Sequence, residues 1–412
     1  MRNRADVETS RFASVMTGAL GLPPGDAREL GLSLRGLTRL GDVFRAQAAS
    51  GIIPGAIVAI ARRGKVGYCE TFGFRDRAKG APMTVDSIFR IASMTKPFTS
   101  IAAMMLAEEG KLQLVDAVAK YLPAFRGAKV AKSAGDATPV PAEAEMTIHD
   151  LLRHTSGLTR GLGTPNAVRA LYQKEAVQSR EQTLAQQAEK LGRLPLAHQP
   201  GTVWDYSVST DVLARVVEVA SGQPFDAFLA ERIWQPLGLK ETAFHVPEAK
   251  WERIAEVPEE NMAADAPRPF DVRKPYPMVS GGGGMVASIA DYLRFAQMLL
   301  NGGELEGTRL VSRKTLALMT SDHLGSIRHG VTPADFLPGP GYGFGLGFAV
   351  RTAPGLCPFP GSRGEFYWSG IFGTRFWVDP EEQLIAVMML QAPNQRREMA
   401  GLLRTLVYQA LD

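Results

Sequence analysis

Ser93 and Lys96, three residues apart in Ser93-Met94-Thr95-Lys96, are the first pair in the chain whose types and spacing could do chemistry. On a helix, residues i and i+3 project from the same side, one turn apart. A serine hydroxyl is a poor nucleophile until a base takes its proton. A lysine partly withdrawn from water can be that base or can assist a second one. Backbone N–H groups at a helix N-terminus also help stabilise the negative charge of an acyl tetrahedral intermediate. Pro97 is tolerated only in a first turn, which puts Ser93 at a helix start. The same four residues also read as an N-cap serine followed by a surface lysine, so the pair needs partners elsewhere.

Two further segments offer them. Tyr206 stands just before a helical pattern, in Trp204-Asp205-Tyr206-Ser207-Val208-Ser209. A phenol there can exchange protons as a general base, or it can pack its ring under a helix start. Later, Trp368-Ser369-Gly370-Ile371 lies at the end of an aromatic run. Gly370 permits close approach of another backbone, and a strand edge beside a nucleophile can donate an N–H to an oxyanion. The competing reading is a glycine-marked bulge.

Other residue types exclude other chemistries. No Gly-x-Ser-x-Gly elbow occurs, and Gly281–Gly284 lacks the pattern of a phosphate loop. Those four glycines read as a place where backbone passes close to another element. His149, His198, His245, His323 and His329 show no metal-ligand spacing. The two cysteines, Cys69 and Cys357, are too few for a disulfide framework or a cysteine-rich zinc site. No metal and no cofactor is expected.

The elements that must position these residues follow from periodicity and breakers. Residues 32–50 carry Leu34, Leu37, Leu40, Phe44 and Ala48 at helical steps. From Gly55, two β-rich runs flank a turn near Arg63-Gly64. Residues 87–91 read as a short extended approach to Ser93, and a helix follows it with Gly110 as its stop. Residues 96–273 are mostly helical by pattern, including helices at 210–221 and 225–233. Within them, residues 128–145 read as a surface loop, and residues 258–277 as irregular and proline-rich. Residues 290–300 read as a helix, then 342–351, 365–371, 373–378 and 383–391 as strands, with a turn at Asp379-Pro380-Glu381-Glu382. A helix over 396–411 closes the pattern.

Short turns make the closing strands antiparallel. The expected fold is therefore α/β (α+β): an antiparallel sheet flanked by helices and built from both termini, with an inserted, mainly helical lobe. Residues 1–412 then form one catalytic unit, with 28–92 and 278–412 as the sheet lobe and 93–277 as the helical lobe.

With 412 residues, 45% hydrophobic and 21% charged, the chain has enough apolar material to exclude whole-chain disorder. A net charge of +4 is small, and Arg62-Arg63 and Arg396-Arg397 are isolated pairs, so no nucleic-acid footprint is expected. Residues 12–22 are too broken for a signal peptide, and no 18-residue apolar run occurs. The expectation is a cytoplasmic protein with no membrane span; oligomeric state is not encoded.

Taken together, the motifs resemble the serine β-lactamase and penicillin-binding-protein-like superfamily, and within it the family VIII carboxylesterases, which look like class C β-lactamases. The matching residues are Ser87 to Lys96 with its Ser-x-x-Lys, Leu151-Leu-Arg-His-Thr-Ser-Gly-Leu158, His198-Gln-Pro-Gly201 leading into Tyr206-Ser207, Gly281 to Ser288, and Trp368-Ser369-Gly370. They span residues 32–403. There are two departures. Val208 stands where β-lactamases of this shape have the Asn of Tyr-x-Asn, and Trp368-Ser369-Gly370 replaces Lys-Thr-Gly. The lost lysine would have served an anionic lactam carboxylate, whereas tryptophan offers apolar surface.

The resemblance implies a serine carboxylesterase for short- to medium-chain, neutral esters of small molecules. Ser93 is then the nucleophile and Lys96 with Tyr206 the proton-handling pair, which leaves His154 to hold its loop by hydrogen bonds instead of serving as a triad base. The N–H groups of Ser93 and Ile371 form the oxyanion hole, and Trp368, Ser369 and Gly370 contact the substrate. Acyl transfer to another acceptor, and β-lactamase or D-amino-acid peptidase activity, are the alternatives on the same scaffold.

Overall fold

The computed structural model describes residues 20–160, 166–264, 266–329 and 338–412. Its first helix, α1 (Leu34–Ala49), starts where Ser33 Oγ accepts the Gly36 N–H, and it buries Leu37, Leu40 and Phe44, the apolar stripe visible in the sequence. Strands β1 (Gly55–Arg62) and β2 (Lys65–Asp76) form the expected hairpin. Its two turn residues, Arg63 and Gly64, both have positive φ (52° and 77°), the geometry that keeps a tight hairpin twisted correctly.

An eight-stranded sheet runs β4-β5-β6-β7-β8-β1-β2-β3, with β3 (Ala81–Pro82), β4 (Tyr342–Phe344), β5 (Ala349–Arg351), β6 (Phe366–Ser369), β7 (Arg375–Asp379) and β8 (Leu384–Leu390). Every pairing in it is antiparallel. At its centre β1 meets β8, Ala56 opposite Leu390 through Arg62 opposite Leu384. All eight residues of β1 and all seven of β8 are buried, so both sheet faces are covered. Neighbouring residues of β7 show by what: Phe376 packs on Tyr292 of α4 (Ile289–Leu300), ring centroids 4.9 Å apart. Trp377, pointing the other way, stacks on Tyr408 of α5 (Arg396–Tyr408) at 6.1 Å. Helix α5 also packs against α1.

The site is bridged from the sheet into a helical region holding α2 (Lys96–Glu108) and α3 (Ser209–Ser221), which lie side by side. Phe89 and Arg90 pair with Ala287 and Val286, and this short ladder leads directly to Ser93. Helix α2 stops at Gly110 (φ 71°), as its sequence predicts.

Four readings need correction. Residues 342–351 are two strands, not one, because Gly347 turns the chain with φ 100°. The strand placed at 365–371 ends at Ser369, so Ile371 sits in the turn that follows. Residues 128–145 form a hairpin, Lys129–Ser133 against Asp136–Pro141, instead of a plain loop. The helix at 225–233 is α-helical only to Leu229 and finishes as a π turn, Ala230–Trp234. Most of the 12–22 stretch lies outside the described residues, as do 330–337 beside His329. Cys69 and Cys357 are both free. Among the described residues, no helix is long and apolar enough to cross a membrane.

Candidate active site

Ser93 occupies a 3-10 turn, Ala92–Thr95, that feeds α2. The residue before it, Ala92, is held at φ 45°, a conformation that non-glycine residues rarely adopt and that surrounding structure must impose. The imposing contacts are visible. Met94 N and Thr374 Oγ1 both donate to the Ile91 carbonyl, at 3.0 and 3.2 Å. Tyr292 Oη donates to Met94 O at 3.0 Å, and Met285 N donates to Thr95 Oγ1 at 3.1 Å.

Lys96 is buried, with 5% of its surface exposed. Its ammonium donates to Gly282 O at 2.6 Å and to Ser93 Oγ at 3.4 Å, and stands 4.6 Å from the centroid of the Tyr206 ring. The glycine strip explains how a carbonyl reaches so deep. A Cβ on Gly281 would lie 2.6 Å from Ala214 Cβ, and Thr99 Oγ1 donates to Gly281 O at 2.8 Å. Asp211 of α3 fixes the strip from the other side, accepting from Gly282 N at 2.8 Å and Ser280 Oγ at 2.6 Å. Asp211 carries no local signal in the sequence, because its partners are some seventy residues downstream.

Tyr206 is delivered by a loop that the other motifs lock. Asp205 is buried and accepts from Arg169 Nη2 at 3.1 and 3.2 Å, with His198 Nε2 at 3.2 Å from one of its oxygens. Gly201 N donates to Thr155 O, and His198 N to Gly157 O. His154 packs edge-on against the Tyr206 ring at 4.8 Å, and its Nδ1 accepts from Ser207 N at 3.4 Å. Burial, aided by the charges of Lys96 and Arg160, holds His154 far below the usual histidine pKa. It is a neutral support for its loop, as the resemblance implies. Tyr206 Oη is buried and makes no hydrogen bond to the described residues; the Arg160 guanidinium faces its ring at 5.1 Å. Tyr206 and Ser93 are therefore not hydrogen-bonded to each other: the serine's side-chain partner is Lys96.

The third segment closes the site. Trp368 is buried and meets Tyr206 at 5.3 Å and Phe344 at 5.3 Å, so its ring backs the phenol. Gly370 is a glycine by necessity: a Cβ would sit 2.5 Å from Ile91 O and closer still to Thr374 Oγ1. That contact fastens the turn carrying Ile371 to the turn carrying Ser93. Ser93, Lys96, Tyr206, Trp368, Ser369, Gly370 and Ile371 all line one cavity of about 1020 Å³. Val208 lines it too. Among the described residues, no cluster of three His, Cys, Asp or Glu side chains could hold a metal ion. Serine, lysine and phenol around one cleft can form and break an acyl–oxygen bond.

The family model described as Beta-lactamase matches residues 40–409. Esterase EstB of Burkholderia gladioli is 33% identical over 364 residues, covering 83% of this chain and 86% of its own. Protein Rv1367c of Mycobacterium tuberculosis is 35% identical over 354 residues, with the same coverage of 83% and 86%. Among solved structures, EstCE1, described as a hydrolase with promiscuous acyltransferase activity, superposes with a TM-score of 0.77 at 28% identity, covering 91% of this chain and 99% of its own.

Proposed function

The chain belongs to the β-lactamase family, and we propose that it serves there as a serine carboxylesterase of the family VIII kind, acting through an acyl-enzyme on Ser93. The observation that carries this reading is the Ser93 Oγ to Lys96 Nζ contact of 3.4 Å, inside a cavity that also holds the Tyr206 hydroxyl, which has no hydrogen-bond partner among the described residues.

Ser93 Oγ attacks the ester carbonyl and its proton passes to the Lys96–Tyr206 pair, which reacts in the form that carries one proton fewer, as a neutral amine or a phenolate. Lys96 is the member in contact with the serine; the two exchange protons as a coupled unit. Positive charge beside the Tyr206 ring stabilises charge that develops on the phenol oxygen as it passes the proton to the leaving alcohol. The developing oxyanion is held by the N–H groups of Ser93 and Ile371, each worth roughly 3 kcal/mol of barrier reduction. Water then attacks the acyl-enzyme by the reverse route. Trp368, Ser369 and Gly370 form the wall against which the ester lies. The expected setting is the cytoplasm.

The promiscuous acyltransferase activity of EstCE1 favours one second reading, in which an alcohol replaces water as the acyl acceptor. Ser93→Ala, assayed on p-nitrophenyl butyrate and treated with a fluorophosphonate probe, tests the core assignment. The variant is expected to lose both turnover and labelling. A folded Ser93→Ala that still turns over the ester overturns the reading, and product analysis with added butanol separates hydrolysis from transfer.

A further inference from the structure

Two neighbouring carbonyls of the glycine strip hold two cations. Gly282 O takes Lys96, and Gly283 O takes Arg180 Nη2 at 3.4 Å. A Cβ on Gly283 would lie 3.9 Å from Ser93 N, so the strip that holds the guanidinium borders the Ser93 turn, and Arg180 and Ser93 line the same cavity.

That long bond is the only hydrogen bond the Arg180 side chain makes among the described residues, and no carboxylate among them forms an ion pair with it. Its guanidinium carbon lies 3.5 Å from the centroid of the Phe270 ring, which fixes the plane of the fork. Burial lowers its pKa to about 10, opposed by the charge of Asp211, so it remains a cation at neutral pH. Asp211 itself is occupied by Ser280 and Gly282. A guanidinium in such a place has donors to spare, and a carboxylate is the group that fits them in pairs.

The whole cavity is charged in the same sense. Among the described residues, seven arginines and Lys96 line it, against one carboxylate, Asp211. Of the seven, Arg404 is committed to Glu365 and Arg268 to Glu259, and Arg160, Arg396 and Arg397 also have partners of their own. A cleft lined by one sign of charge concentrates ligands of the other sign.

We propose that Arg180 is a specificity-determining residue that binds a carboxylate carried by the ester substrate, so that the favoured substrates are esters bearing a free carboxylate. This rests on the esterase reading above and modifies one expectation from the sequence. Replacing Lys-Thr-Gly by Trp368-Ser369-Gly370 removed a cation from one wall, but Arg180 supplies one from another.

The test compares kcat/KM for two matched pairs. The first is the mono-p-nitrophenyl ester of adipic acid against p-nitrophenyl hexanoate, with the charge on the acyl side. The second is 4-(butyryloxy)benzoate against 4-(butyryloxy)benzamide, with the charge on the alcohol side. The wild type is expected to favour the anionic member of at least one pair by about tenfold, the scale of one charged hydrogen bond. The pair that shows it identifies the side. Arg180→Gln should abolish the preference and Arg180→Lys should keep part of it. A preference for the neutral member in both pairs, or one that Arg180→Gln leaves intact, overturns the proposal. Turnover of p-nitrophenyl hexanoate by the wild type reports on the esterase reading independently: activity there without an anionic preference refutes only the role of Arg180, whereas no turnover of any ester refutes both. Should Arg180→Gln fail to fold, the wild-type preference and its expected decline in 0.5 M NaCl decide the matter.

Discussion

The ammonium of Lys96 donates a 2.6 Å hydrogen bond to the carbonyl of Gly282, 186 residues further along the chain, while its bond to Ser93 Oγ is 3.4 Å. The carbonyl holds the amine beside the serine, and the neutral amine, with one N–H on that carbonyl, can turn its lone pair to the serine hydroxyl. Removing the amine by Lys96→Ala is expected to lower kcat on p-nitrophenyl butyrate by about 10²–10⁴-fold with a much smaller effect on KM. Lys96→Arg should not restore it, because a guanidinium does not release its proton at working pH. Steady-state kinetics of both variants check this; a Lys96→Ala enzyme within tenfold of wild type removes the lysine from the mechanism.

Tyr206 Oη is buried without a partner among the described residues, a state that costs about 1–3 kcal/mol in a folded protein. Tyr206→Phe should therefore unfold at a temperature equal to or above that of the wild type while kcat falls by at least tenfold. Calorimetry and kinetics on one preparation measure both. Full activity in the phenylalanine variant would show the phenol to be packing only.

Gly370→Ala places a methyl group 2.5 Å from the Ile91 carbonyl, against backbone that also shapes the Ser93 turn. The expected cost is about 1–3 kcal/mol of stability, with a drop in kcat that follows from the proposed role of the Ile371 N–H in the oxyanion hole. Denaturant unfolding beside ester kinetics checks it. An unperturbed variant would mean that the two turns move independently.

His149, whose Nε2 lies 2.9 Å from His323 Nδ1, has its pKa pushed down to about 4 by burial and by the charges of Arg153 and His323. An unfolded histidine titrates near 6.5, so between these values the unfolded chain binds more protons than the folded one. Stability should therefore decline as pH falls from about 6.5 towards 4, and the contribution of this residue should level off below that. His154, depressed further by deeper burial, acts in the same direction. Urea unfolding at pH 7.5 and pH 5 tests this, and His149→Gln should narrow the difference between the two. Equal differences in variant and wild type would exclude His149 as a contributor.

Those predictions rest on residues of unequal legibility. Ser93, Lys96, Tyr206 and the Trp368–Ile371 segment could be read from motif order, because each is marked by a local breaker or pattern: Pro97, a helix start, Gly370. The hairpin at Arg63-Gly64 was legible for the same reason. Residues 342–351 misled because Gly343, Gly345 and Gly347 alternate with apolar residues in a strand-like pattern, and only the positive φ of Gly347 shows which of them turns the chain. Residues 128–145 misled because Lys and Pro mask a hairpin whose strands are largely exposed. The left-handed Ala92 was invisible, since alanine signals nothing and the strain comes from Ile91 being gripped by Thr374, just ahead of β7. Arg180 was equally hidden: Phe270 and Gly283, which hold it, are about a hundred residues away.

The seam between β1 and β8 has an implication for biosynthesis. Arg62 bonds to Glu382 across 320 residues, and the centre of the sheet exists only when both of these strands do. During synthesis the hairpin of β1 and β2 must therefore leave the ribosome with one long edge open and stay so until Leu384–Leu390 emerges, a strongly non-local closure that slows folding. The turn that presents Ser93 leans on a segment nearly as late, through the Gly370 and Thr374 contacts to Ile91. A nascent chain stalled before this point carries its nucleophile in sequence but has no cleft in which to use it.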